Sequence, residues 1–137
     1  MASTQDRNCT HLAGEYFVAA ELSKRGYSIG ITMGNAKAID VIAVRDANTA
    51  KIQVKAIASR KYSGWPMTRN ALRDDVVYIF VCLNECEEAP AYFILHPSEV
   101  RERIKQYATR GIVPISSLQA FKGQWEKIDE ALAPRHR

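Results

Sequence analysis

The spacing of apolar positions changes period along the chain. Over residues 10–25, THLAGEYFVAAELSKR, it is helical, with Thr10 as N-cap, Gly26 as the stop and Leu12, Tyr16, Ala19 and Ala20 as the expected apolar face. Glu15 falls on the border of that face, beside the packing surface. Residues 27–33 read as a short strand before the turn GNAK. Residues 38–44 and 51–57 are rich in β-branched side chains and flank the polar turn RDANTA, which predicts an antiparallel hairpin. The unbroken apolar run VVYIFVCL at 76–83 predicts a buried central strand, and 91–95 another. Ser98 is positioned to cap a helix from 99 to about 109. Leu118, Phe121, Trp125, Ile128 and Leu132 then mark short helical packing elements, with Trp125 as a core anchor.

Two charges interrupt the hairpin, Asp40 in its first strand and Lys55 in its second. A period of two puts Asp40, Ile42 and Val44 on one face with Gln53, Lys55 and Ile57. A turn centred on 47 and 48 sets Asp40 directly opposite Lys55. One reading of the charges is an exposed cross-strand ion pair, worth under about 1 kcal/mol. The other is a site, because a carboxylate, an amide oxygen and an ammonium share that face, with Glu15 on the preceding helix.

Composition narrows the class. The chain has 137 residues, 47% hydrophobic and 25% charged, which predicts one soluble domain over 1–137 and excludes disorder and fibrous repeats. Net charge is +4, and its distribution says more than its size: Lys51, Lys55, Arg60, Lys61, Arg69 and Arg73 fall in a stretch without an acid. Much of that stretch, 59–75, reads as a long loop or a loop with a short helix, a length commonly functional. Cys9, Cys82 and Cys86 form no repeated C-x-x-C, so neither a disulfide framework nor zinc ligation by Cys9 and His11 is supported. The polar N-terminus holds no signal peptide and no run is long enough to span a bilayer, so a cytoplasmic protein is expected.

Mg²⁺ (or Mn²⁺) takes oxygen ligands and works on phosphates, so Asp40, Gln53 and Glu15 as ligands with Lys55 as a cation fit phosphodiester chemistry. In this order and strand context the residues resemble the PD-(D/E)XK nuclease superfamily, which includes restriction enzymes and Holliday junction resolvases. GEYFVAAELSKRGY looks like its first helix, GNAKAIDVIAV its aspartate strand and KIQVKAIASRK its E-x-K strand, with Gln53 where the motif has an acid. The resemblance implies an α/β (α+β) restriction-endonuclease-like fold, a mixed sheet flanked by helices in αβββαβ order. It also implies Asp40, Gln53, Lys55 and Glu15 as catalytic residues, a DNA substrate and a homodimer. Lys37, Arg60, Lys61 and Arg69 would contact phosphates, and Trp65 would either stack on a base or wedge a base step, or else be buried under the loop. Gln53 leaves open the alternative of a catalytically silent nuclease-fold module that binds nucleic acid or a protein partner. No P-loop supports a small-molecule phosphate enzyme.

Overall fold

The computed structural model describes residues 4–32, 39–85 and 88–134. A long first helix, α1 (Thr4–Lys24), is followed by β1 (Ser28–Ile31), β2 (Val41–Arg45) and β3 (Asn48–Ile57). Then come β4 (Gly64–Pro66), β5 (Val77–Cys82), β6 (Ala91–Leu95), α2 (Pro97–Arg103), β7 (Lys105–Gln106), β8 (Gly111–Pro114), α3 (Glu126–Ala131) and β9 (Ala133–Pro134). The main sheet runs β1-β2-β3-β5-β6, with β9 also on β3, and β4-β8-β7 form a second, three-stranded sheet. β3 and β5 are parallel and their neighbours antiparallel, so the sheet is mixed. The return from β3 to β5 that a parallel pair requires carries β4 and a single 3-10 turn, Arg69–Ala71.

Alternation along the central strands builds a core on each face. Val41, Ala43, Ile52, Val54, Val77, Ile79 and Val81 pack against Val18 and Leu22 of α1 and Ile128 of α3. Ile57, Tyr78, Phe80 and Cys82 face the other way, toward Val100 of α2 and Trp65 and Val113 of the second sheet. The doubly buried run 77–82 is the continuous apolar stretch read from the sequence.

Several expectations change. First, α1 starts at Thr4, which leaves Thr10 inside the helix rather than at its N-cap. It buries Gly14, Glu15, Val18, Ala19 and Leu22, while Leu12 and Tyr16 are 42% and 54% exposed. Between Leu12 and Leu22 apolar side chains occur on all sides of the helix, and the face that docks is chosen by fit. A Cβ on Gly14 would lie 2.6 Å from the Ala56 Cβ, so the missing side chain sets how closely α1 approaches β3. Second, the hairpin pairs Val41 with Ile52 and Arg45 with Asn48, two residues out from the expected register. Its turn is the tight pair Asp46 and Ala47, both at positive φ (52° and 67°), as the two-residue turn matched to strand twist requires. Third, the helix after His96 stops at Arg103, because Ile104 is extended and buried and Lys105–Gln106 pair with Gly111–Ile112. It begins with Pro97, and the Glu99 carboxylate accepts from the His96 amide at 2.8 Å, so Ser98 is not its cap. Fourth, the basic stretch is anchored: β4 lies so close to β8 that a Cβ on Gly64 would meet the Val113 carbonyl oxygen at 2.1 Å.

Candidate metal and nucleic-acid site

The site forms where β2 parts from β3. Val41 is registered on Ile52, yet the amide of the preceding Asp40 also donates to the Ile52 carbonyl, at 2.9 Å. Two residues against one is the count of a β-bulge, and it re-aims the Asp40 side chain. The Asp40 Oδ2 accepts from the Val54 amide at 2.8 Å. A strand amide points along the plane of its sheet, so the carboxylate occupies the slot that β2 has vacated.

From the α1 side two helical residues converge on it. His11 and Glu15, one turn apart on α1, bring Nε2 and Oε2 within 2.6 Å, and His11 Nε2 lies 3.7 Å from Asp40 Oδ1. Ligand atoms of His11, Glu15 and Asp40 all fall within 4.8 Å of one another. Glu15 and Asp40 are buried, at 0% and 2% exposure, whereas the His11 side chain is 44% exposed and forms the solvent side of the group. A fully buried glutamate is rare without compensation, and here the same helix face that carries Val18 and Leu22 drives it inward.

Gln53 and Lys55 belong to the opposite face, since Ile52 and Val54 pack beneath α1. The expected single face therefore becomes a rim, with Asp40 between the two sides and Lys55 not directly opposed to it. Burial pushes the Lys55 ammonium below its ordinary pKa, and the negative Asp40 opposes that shift without cancelling it. The Gln53 Oε1 is buried and has no hydrogen-bond partner among the described residues. Carboxylates at 15 and 40 and this amide oxygen are the hard donors that a divalent cation takes, so the residues present fit one.

His11 joins this group beyond the residues that the motif names, and the clue to it in the sequence is its spacing of four from Glu15. The thiol of Cys9 takes no part in the group.

Within the basic stretch, Arg60, Lys61 and Arg69 are exposed. The Arg69 amide donates to the Gln106 Oε1 at 2.9 Å, which ties the basic stretch to the β7–β8 hairpin and its exposed Lys105, Tyr107 and Arg110. A cleft of about 880 Å³ lies between them, lined by Pro66, Thr68, Tyr107 and Arg110 among others. A smaller one, of about 410 Å³, is lined by Asp6, Arg7 and Thr10 of α1 together with Ala56, Tyr62 and Pro66. Trp65 is corrected: it is 1% exposed, donates its indole N–H to the Val81 carbonyl at 3.1 Å and meets Phe80 edge-on, so it cannot stack on a base. Arg73 is engaged by both oxygens of Asp75, at 2.9 and 2.7 Å. Lys37 lies outside the described residues.

No protein-family model matches this sequence, and no curated protein does. Solved structures do. A bacterial homing endonuclease, I-Ssp6803I, superposes with a TM-score of 0.62 at 13% identity over 94% of this chain and 95% of its own. Hjc, a Holliday junction resolvase from the archaeal hyperthermophile Archaeoglobus fulgidus, does so with a TM-score of 0.54 at 10% identity, over 93% and 98%. Both are nucleases of one fold. The chain has the restriction-endonuclease-like fold of the PD-(D/E)XK nucleases. At this level of identity the likeness is one of architecture, and the chemistry rests on this chain's own residues.

Proposed function

We propose that this chain is a divalent-metal-dependent endonuclease that hydrolyses phosphodiesters in nucleic acid, with DNA as its substrate. The observation that carries the reading is the group at the bulge: the buried carboxylates of Glu15 and Asp40 meet there with His11, and the adjacent strand β3 carries a buried amide oxygen with no partner among the described residues and a lysine disfavoured by burial. Both structural neighbours are nucleases, which supports the same direction. Asp40, Glu15 and Gln53 would hold the ion, Mg²⁺ or Mn²⁺. When bound, the ion supplies Lewis acidity for attack of water on phosphorus.

The remaining work belongs to the chain's own groups. Val54 fixes the Asp40 carboxylate through its amide, so the ligand is oriented before any substrate arrives. Lys55 brings a positive charge to a partly desolvated place, where it stabilises the charge that builds on the phosphate oxygens as the P–O ester bond breaks. Arg60, Lys61 and Arg69 hold the backbone without reading sequence. A homodimer would let two such sites address two strands.

The test is nicking of supercoiled plasmid with Mg²⁺ or Mn²⁺, stopped by chelator and by Lys55→Ala. Cleavage undiminished in Lys55→Ala protein overturns the assignment. Gln53 motivates a second reading, a silent nuclease-fold module, because it removes one negative charge from the expected ligand set. That reading predicts salt-dependent DNA binding with no metal requirement and no nicking.

A further inference from the structure

We propose that His11 is a ligand of this site and makes it selective for Mn²⁺ over Mg²⁺. The inference rests on the metal-dependent reading above and deepens it by naming the ion. Its basis is that the imidazole is aimed at both buried carboxylates at once, 2.6 Å from Glu15 and 3.7 Å from Asp40. Donors at about 2.1 Å from a single first-row ion stand about 3 Å apart when adjacent, and these two separations bracket that value.

The rigidity of the arrangement follows from the backbone. The helical spacing of four fixes His11 over Glu15, and Gly14 lets that turn of α1 sit against Ala56 of β3. His11 is also the half-exposed member, so an ion arriving from solvent meets the imidazole before the carboxylates.

Selectivity follows from donor chemistry. Mg²⁺ takes oxygen ligands and keeps its waters, so a nitrogen adds little to its binding. Carboxylate and carbonyl oxygens suit Mg²⁺ and Mn²⁺ alike, while imidazole favours transition ions, and of these two ions only Mn²⁺ is one. Gln53 sharpens the contrast. Replacing an acid by a neutral amide weakens the hold on any dication, and His11 restores it only for an ion that accepts nitrogen.

The measurement is calorimetric titration of the full chain with MnCl₂ and separately with MgCl₂, for wild type, His11→Ala and His11→Gln. Circular dichroism establishes that each variant is folded. Wild type is expected to bind Mn²⁺ more tightly than Mg²⁺. Both variants should lose Mn²⁺ affinity by roughly 10- to 100-fold, the scale on which metal sites respond to loss of a supporting group, while Mg²⁺ affinity moves little. Pulsed electron paramagnetic resonance of the Mn²⁺ complex should show coupling to a ¹⁴N nucleus in wild type and not in His11→Ala. No nitrogen coupling in wild type, or equal losses for the two ions, overturns the role of His11. So does a His11→Gln protein with the wild-type preference, because glutamine can contact Glu15 without offering a ring nitrogen. Binding of both ions without preference overturns this inference alone; binding of neither overturns it together with the metal-dependent reading.

Discussion

Two polar clusters flank the β2–β3 hairpin, and they are built on opposite principles. At the end near the turn, Tyr27 donates to the Asp129 carboxylate at 2.5 Å and Arg45 pairs with the same carboxylate at 2.8 Å. Arg45 also covers the Tyr27 ring at 3.8 Å, and Arg25 lies over Trp125 at 4.6 Å. Charges there are matched and the acid stays partly solvated. At the far end, Glu15 and Asp40 are buried, Lys55 is held in a state that burial disfavours, and the Gln53 oxygen has no partner among the described residues. The first cluster locks α3 to the hairpin. The second has the composition of a site whose balance comes from a ligand, since unsatisfied buried polar groups cost free energy that a purely structural cluster would avoid.

Substitutions can break this contrast, beginning with Asp40. Asp40→Ala removes the acceptor for the Val54 amide as well as a carboxylate, and is expected to cost about 1–3 kcal/mol and abolish metal binding. Asp40→Asn keeps an acceptor, so it should regain most of the stability and none of the metal affinity. Chemical denaturation beside calorimetry separates the two. A comparable loss, about 1–3 kcal/mol, is expected for Gly14→Ala, because the new methyl lands on Ala56 and lifts α1 from β3. The same variant should weaken metal binding, although Gly14 contributes no ligand.

At the matched cluster, Tyr27→Phe should cost about 1 kcal/mol at neutral pH through the lost hydrogen bond. Burial first, then the Asp129 carboxylate, push the Tyr27 phenol up to about 12 from an ordinary 10.0. The folded state therefore keeps a proton that the unfolded state releases. This contribution is complete below pH 10.0 and fades as pH rises toward about 12, a slope that urea melts across that range should show in wild type and not in Tyr27→Phe. The smallest effect has the opposite sign. Lys55→Met removes an ammonium that burial disfavours, and should leave the melting temperature unchanged or raise it by up to about 3 °C while ending the plasmid nicking proposed above.

Much of this was legible in the sequence, for physical reasons that differ by element. The run 77–82 and the strand 91–95 announced themselves because burial on both faces leaves no polar position. Asp40, Gln53 and Lys55 stood out because a charge or amide inside a β-branched strand needs a reason. The mistakes have a common origin in packing. The buried face of α1 differs from the periodic one because Leu12 and Tyr16 outweigh Gly14 in any apolar count, while close approach to β3 rewards the smallest side chain. The hairpin register slipped by two because Ala47 adopts a φ of 67° that alanine rarely does, and a slip of two keeps every side chain on its face, leaving no trace in the pattern. The bulge at Asp40 is a consequence of pairing, so neither the move of the site to the sheet rim nor the approach of His11 could be read from spacing along β2 alone. For Trp65 the sequence leaves stacking and burial both open, because its loop is basic and the strand that buries it is created only by β8.

The most direct test of the central claim is a titration of folded wild-type and Asp40→Asn protein with Mn²⁺ and Mg²⁺, followed by calorimetry. The account predicts saturable binding in wild type that Asp40→Asn loses while its melting temperature stays close to wild type. Folded wild-type protein that binds neither ion would contradict it, and the buried carboxylates would then be a structural cluster like the one around Tyr27.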